Sequence, residues 1–272
     1  MNRITKSPNV PTTLSERGEE EVKRLRNLLE AHQDLDFKKD IYAAPDVKLC
    51  LRKDQYGKCA YCERFFNGDY GAVEHFRPKG GYQIEGEKKI HKPGYYWLAY
   101  DWSNLLYSCS ECNTTFKRNF FPLADETKRD ISHENIKDEQ PLLLNPTVDD
   151  LDDMIEYHEY MIVPKEGGGS REKAEKTISL FQLNDRSILK ERRKTIWNRY
   201  TKLCDAYNAA KLLGLQNMVG DLEEMIRDMV SEQSEFTGMF KYQRKKIPEK
   251  VALFRKKHYL CSGYNLKSTV EW

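Results

Sequence analysis

Apolar residues recur at helical spacing near both ends of the chain, and between them the pattern breaks into short runs bounded by cysteine, glycine and proline. Val22, Leu25, Leu28 and Leu29 fall on one face of a helix predicted from about residue 14 to 32, and Thr13-Leu-Ser-Glu16 reads as its capping box. The polar residues 1–13 read as a frayed arm. A second short helix is expected to start near Pro45 and to carry Val47, Leu49, Cys50 and Leu51. Val73-Glu-His-Phe-Arg-Pro78 and Asn104-Leu-Leu-Tyr-Ser-Cys109 read as strands, and a helix opens at Cys112-Asn-Thr-Thr-Phe-Lys117. The string from Tyr95 to Trp102 reads as a further helix packed beneath the site. Gly167-Gly-Gly169 marks a loop, and Ser170 is placed to cap the helix that follows. Ile178/Phe181/Leu183 and Leu215/Met218/Leu222/Met225/Met229 then predict several packed helices.

Composition narrows the function classes. The 272 residues carry 45 Lys+Arg against 43 Asp+Glu, a net charge of +2, so the overall field does not draw nucleic acid and any affinity has to come from local patches. Charge is blocked in the second half. Residues 149–159 hold six acids and no Lys or Arg, whereas 186–202 hold seven cations and 241–257 hold eight, each against one acid. These basic blocks read first as solvated helix faces. No run of about 18 apolar residues is present to span a bilayer, and the N-terminus lacks the apolar core of a secretory signal, so a cytoplasmic location is expected.

Of the seven cysteines, four form two Cys-x-x-Cys pairs, Cys59/Cys62 and Cys109/Cys112. Residues 56–121 around them contain 16 of the 31 aromatics, the texture of a compact module. Zinc takes four thiolates tetrahedrally, and two such knuckles from distant segments would staple the chain around one ion. With every position filled by thiolate, that zinc is structural. Cys50, Cys204 and Cys261 read as small apolar residues.

Between and after the knuckles stand Glu74-His75, Asn104 and Asn113. Cys-x-x-Cys, Glu-His-x-x-Pro, Asn-Leu and Cys-x-x-Cys-Asn in that order resemble the HNH endonuclease pattern, the ββα-metal nuclease family. The nine-residue step from Asn104 to Asn113 matches that pattern's spacing. Glu74 stands where the family often has Asp, Asn113 where many members have His, and residues 80–103 form a long insertion. Longer strings, Cys59-Ala-Tyr-Cys-Glu63, Glu74-His-Phe-Arg-Pro-Lys79, Tyr95 to Trp102 and Phe121-Pro-Leu123, are similar to the nuclease subunit of the Septu anti-phage systems. Leu142-Leu-Leu-Asn-Pro146 and Leu183-Asn-Asp-Arg186 extend the likeness to about residue 200.

The resemblance implies an α+β, mostly helical protein with a small zinc-stapled ββα core. Residues 1–44 would form an N-terminal arm and helix, 45–125 the nuclease module, and 126–272 a mainly helical region. His75 would act as general base on water. Glu74 and Asn113 would hold Mg²⁺ or Mn²⁺, Asn104 would fix a loop, and Arg77, Lys79 and Lys117 would meet phosphate. Successive strand residues face opposite ways, so a strand end or loop is expected to re-aim Glu74 or His75. The implied substrate is nucleic acid, DNA ahead of RNA. The implied partner is a separate ATPase subunit, since no Gly-x-x-x-x-Gly-Lys loop is present. Two alternatives stand beside this reading: a zinc-ribbon module that binds nucleic acid without cutting it, and a stand-alone HNH restriction endonuclease.

Overall fold

The computed structural model describes residues 1–241 apart from 67–70, 131, 132 and 134. Its α-helices are α1 (Thr12–Glu30), α2 (Lys39–Tyr42), α3 (Pro45–Asp54), α4 (Leu151–Met154), α5 (Arg171–Leu180), α6 (Ser187–Leu212), α7 (Gln216–Val230) and α8 (Gly238–Lys241). Two antiparallel hairpin-like pairs accompany them, β1 (Ala72–His75) with β2 (Leu105–Ser108) and β3 (Ile155–His158) with β4 (Met161–Pro164). The fold is therefore α+β with two small sheets. No described helix is long and apolar enough to cross a membrane.

The predicted helix at the N-terminus forms, but its start is organised differently. α1 follows Pro11 and has no side-chain cap of its own. Thr13, expected to anchor a capping box, instead donates through its backbone N–H and its hydroxyl to the two oxygens of Asp46, each at 2.9 Å. A carboxylate from the first turn of α3 thus serves the first turn of α1. The arm before it is also not frayed. Met1 and Ile4 are buried, Ile4 N–H donates to the Pro146 carbonyl, and Ser7 N–H donates to Asp54. The Lys6 ammonium lies over the Trp102 ring and donates to the Leu105 carbonyl at 2.7 Å.

β1 and β2 pair with Val73 opposite Tyr107, Glu74 opposite Leu106 and His75 opposite Leu105. Because side chains alternate, the two faces of this small sheet feed two cores. Val73, Leu105 and Tyr107 pack with α1 and α3 through Leu14, Leu25, Val47 and Leu51. Leu106 packs with the knuckles and the C-terminal helices, where Tyr61 stacks on Phe181 at 4.1 Å and Trp197, Tyr200 and Phe240 meet. Gln55, at the end of α3, extends the sheet with its side chain. Its amide donates to the Lys58 and Tyr107 carbonyls and accepts from Tyr107 N–H.

The helix expected over Tyr95–Trp102 is two separate 3-10 turns, Tyr96–Leu98 and Trp102–Asn104. The reason lies in the carbonyls. Those of Leu98 and Ala99, which a continuous α-helix would satisfy internally, accept from the side chains of Asn104 and His75. The broken backbone also sends Tyr95 into one core and Tyr96, Tyr100 and Trp102 into the other. Ser170 caps α5 as expected, accepting from Lys173 N–H. The β3–β4 hairpin interrupts a region whose pattern predicts helices, and the acidic block 149–159 lies across α4 and β3. The basic block 186–202 is not simply a solvated face either. Arg193 is buried with Nη2 on Asn184 at 3.2 Å, and Arg192 pairs with Glu235 at 2.8 Å. Apart from Lys241, the block 241–257 lies outside the described residues.

The Asp46 clamp gives a direct test. Hydrogen bonds to a charged acceptor contribute roughly 1.5–3 kcal/mol each, less where water competes, so Asp46→Ala is expected to cost about 1–2 kcal/mol. A urea titration should show a lower midpoint with an unchanged slope, and Thr13→Val in the Asp46→Ala background should add little.

Candidate functional site

The four knuckle cysteines are buried and lie together, with their sulfur atoms all within 4.8 Å of one another. The Cys62–Cys109 separation is 3.9 Å, close to the roughly 3.8 Å edge that Zn–S bonds of about 2.3 Å impose on a tetrahedron. Backbone geometry brings them there. Cys59 N–H donates to the Arg64 carbonyl, the turn passes Glu63 at φ 60°, and Ala60 N–H donates to the Tyr107 carbonyl at the end of β2. At the second knuckle Cys112 N–H points at the Cys109 sulfur, 3.4 Å away. None of the four is in a disulfide. The donor set, spacing and surrounding N–H groups fit a single soft divalent ion such as zinc, with no open position for chemistry.

Outside this ring lies a residue that no sequence motif singled out as a site residue. Arg186, just before α6, is buried and aims both terminal nitrogens at the Cys112 sulfur, at 3.6 and 3.5 Å. It also pairs with Glu111 at 3.1 Å and lies over Phe116. Arg64 approaches Glu111 at 3.7 Å. A cation-bearing outer layer of this kind offsets the excess negative charge of four thiolates and orients them. Its signal in the sequence was the string Leu183-Asn-Asp-Arg186, visible as a resemblance but with no chemistry attached.

Glu74 and His75 lie in regular strand to the end of β1, so neither is re-aimed by a loop and they face opposite sides of the sheet. The Glu74 carboxylate is buried and meets the ammonium of Lys117 at 2.6 Å. Burial pushes its pKa up, while Lys117 and Lys79 pull the other way. That oxygen, Oε1, has the ionic contact but no aligned hydrogen bond. Lys117 also donates to the His75 carbonyl at 2.9 Å, so one buried cation joins both residues of the acid–His pair. On the opposite face, His75 Nε2 is 2.9 Å from the Ala99 carbonyl. A carbonyl only accepts, so Nε2 carries the proton and Nδ1 presents the lone pair. Burial and then Lys79 hold the His75 pKa well below 6.5, which keeps the ring neutral. Tyr42 from α2 meets the ring edge-on at 4.9 Å.

Asn104 is buried and stitches the loop after β1. Its Oδ1 accepts from Arg77 N–H at 2.8 Å, and its Nδ2 donates to the carbonyls of Arg77 and Leu98, each at 3.1 Å. Asn113 lies one residue beyond Cys112 in a π-helix, Glu111–Lys117, and Arg118 N–H closes the wide turn on its carbonyl. Its half-buried side chain has no hydrogen bond among the described residues. The same π-helix delivers Lys117 to Glu74. Such wide turns are frequent at functional sites.

The three candidate phosphate contacts separate clearly. Lys117 is fully buried and committed to Glu74 and His75. Arg77 pairs with buried Glu139, which also accepts from the Tyr95 hydroxyl at 2.9 Å, and this network continues from Tyr95 to Arg129 at 2.6 Å. Lys79 makes no ion pair among the described residues. Its ammonium lies over the rings of Tyr42, at 4.6 Å, and Phe37, at 5.5 Å, and burial lowers its pKa.

Against this geometry, similarity to known proteins is decisive for the family. The chain is 36% identical over 217 residues to the Septu protein PtuB of Bacillus mycoides (strain KBAB4), spanning 78% of this chain and 72% of that protein. The chain belongs to the Septu PtuB family. It is also 28% identical over 181 residues to the Septu protein PtuB of Bacillus thuringiensis, 66% of this chain and 53% of the relative. A third likeness, 28% over 149 residues, is to the Septu protein PtuA of Bacillus mycoides (strain KBAB4), 54% of this chain and 20% of that protein. No family model and no solved structure matches the chain.

For this PtuB family member the layer around the candidate metal centre is the part most open to test. Outer-layer substitutions typically cost about 10–100-fold in metal affinity. Arg186→Met, which keeps the bulk and removes the charge, should therefore speed zinc loss to a chromogenic chelator by a comparable factor. Cys112→Ser should leave protein with no zinc by elemental analysis and a collapsed melting transition, because structural zinc contributes on the order of 10 kcal/mol to folding.

Proposed function

We propose that the chain is a metal-dependent HNH endonuclease that hydrolyses phosphodiester bonds in nucleic acid, DNA ahead of RNA. In this reading it is the effector of an anti-phage Septu complex and works with a separate ATPase subunit. The observation that carries the proposal is His75. Its ring is held neutral by burial, its Nε2–H is spent on the Ala99 carbonyl, and its Nδ1 lone pair is left to take a proton. A base in that state draws the proton from an attacking water at neutral pH without first having to lose one.

The neighbouring residues fit supporting roles. The Glu74 carboxylate and the Asn113 amide oxygen are the hard donors that a magnesium or manganese ion takes, and Glu74 Oε1 and the Asn113 side chain both lack an aligned hydrogen bond among the described residues. Bound by them, such an ion would supply charge stabilisation at the leaving oxygen. Lys117 offsets part of the rise that burial imposes on the Glu74 carboxyl and ties it to the strand end through the His75 carbonyl. Asn104 keeps the Arg77 backbone against Leu98 and so positions the loop that leads to Lys79. Of the three candidate cations, Lys79 has no ion pair among the described residues and is the candidate for the phosphate. The four-thiolate centre takes no part in the chemistry and anchors β2 and the π-helix.

The alternative of a zinc-ribbon binder rests on a specific observation as well, since the Glu74–Lys117 pair is what a purely structural core would contain. Cleavage separates the two. Purified protein with Mg²⁺ or Mn²⁺ should nick plasmid DNA, and His75→Ala should reduce the rate by at least about a hundredfold, the lower range for loss of a general base. Asn113→Ala and Glu74→Gln should do the same with zinc content unchanged. Binding of DNA without cleavage, or equal cleavage by His75→Ala, would reject the nuclease reading.

A further inference from the structure

Helix α6 turns one face inward and presents the other to water. Leu189, Arg193, Trp197, Tyr200, Cys204 and Tyr207 are buried, whereas Lys194, Thr195, Asn198, Arg199 and Lys202 are exposed on the opposite side. Residues 192–204 contain no Asp or Glu. Lys194, Arg199 and Lys202 make no ion pair among the described residues, and neither does half-buried Lys190. Glu191 and Asp205 bracket the run and pair with none of them. Other helices answer their cations within one turn: Lys23 pairs with Glu19 and Arg24 with Glu21 on α1, and Arg171 pairs with Glu175 on α5. On α6 the neighbours one turn away carry like charge instead, Lys190 with Lys194 at i,i+4 and Arg199 with Lys202 at i,i+3. Such pairs weaken a helix, and a bound polyanion relieves them.

The layout of the face narrows the polyanion. At about 100° per residue, Lys194 and Arg199 fall on opposite flanks, roughly 140° apart, with Thr195, Asn198 and Lys202 between them. Cations on both flanks and short neutral side chains in the middle suit a helix lying between two phosphate backbones. The major groove of B-form DNA, about 12 Å wide, admits a helix of about 10–12 Å diameter. An anionic bilayer would call for apolar side chains along the same face, and the exposed positions from 194 to 202 are all polar. The helix is also tied to the candidate site. Arg186, the residue before α6, has its guanidinium on the Cys112 sulfur, and Asn113 follows Cys112. Along the axis Lys194 lies about 12 Å and Lys202 about 24 Å beyond Arg186, so a ligand on this face is held at a fixed reach from the π-helix.

We propose that the outer face of α6 binds double-stranded DNA in the major groove, with Lys194 and Arg199 on phosphates of opposite strands and Lys202 adding a third contact. The assignment rests on the nucleic-acid reading above and names the surface that grips the substrate away from the reacting phosphate.

The test follows binding of a labelled mixed-sequence duplex to the full chain by fluorescence anisotropy over a series of salt concentrations, without added divalent metal so that nothing is cut. Neutralising the face with Lys194→Gln, Arg199→Gln and Lys202→Gln removes three phosphate contacts. The slope of log K against log salt should then become shallower by about 2.7, at roughly 0.9 per phosphate, and affinity at low salt should fall at least about tenfold. The charge-keeping variant Lys194→Arg, Arg199→Lys, Lys202→Arg should bind with the wild-type slope. Because the neutral variant also relieves the like-charge pairs, its melting temperature at low salt should be no lower than that of the unaltered chain, which separates lost contact from lost folding. A wild-type slope in the neutral variant would overturn the proposal and leave the nuclease reading standing. Failure of the unaltered chain to bind duplex DNA would overturn both. A single-stranded oligonucleotide that binds as tightly and loses as much slope would put one strand on α6 and overturn the groove assignment.

Discussion

Four buried sulfur atoms within 4.8 Å of one another, a set that could hold one metal ion, are the constraint on which the rest of this protein hangs. Cys59 and Cys62 sit in the turns that follow α3, Cys109 follows β2 directly, and Cys112 lies in the first turn of the π-helix. Joining them closes a loop of about fifty residues that also contains the β1–β2 ladder. That closure sets β2 beside Gln55, lays β1 on β2, and aims the π-helix so that Lys117 reaches Glu74. Arg186 makes the C-terminal helices part of the same arrangement, because its guanidinium ends on a knuckle sulfur.

Around that centre the polar interior is organised by ion pairs that have left water. Glu74–Lys117 and Arg77–Glu139 are both buried, and each cation has a second tie, to the His75 carbonyl and to the faces of Tyr95 and Phe121. Pairs of this kind contribute little net stability, since desolvation consumes most of the attraction. Their effect is on geometry. A strand end held by Lys117 on one side and by Ala99 on His75 on the other has one arrangement of its acid and its imidazole. The insertion between β1 and β2 forms only short 3-10 turns, and its Leu98 and Ala99 carbonyls also accept from the side chains of Asn104 and His75.

What the sequence by itself determined was whatever depends on near neighbours. The paired Cys-x-x-Cys knuckles, Pro45 opening α3, Ser170 capping α5 and the two strands all follow from local spacing and residue chemistry, and each is found close to where the pattern predicts it. The alternation in Ile155-Glu-Tyr-His158 also carried the β3 strand, with Ile155 and Tyr157 inward, but its four residues were too few to stand out from the acidic run around them. Tertiary structure alone decided the partners. Thr13 takes its carboxylate from Asp46 rather than Glu16, the arm is held by Pro146, Asp54 and Leu105, and Lys117 and Arg77 turn inward to Glu74 and Glu139. A lysine or arginine looks the same in sequence whether it faces solvent or a buried carboxylate. The outcome depends on desolvation and on a countercharge dozens of residues away, and those exist only once the chain has closed around its four cysteines.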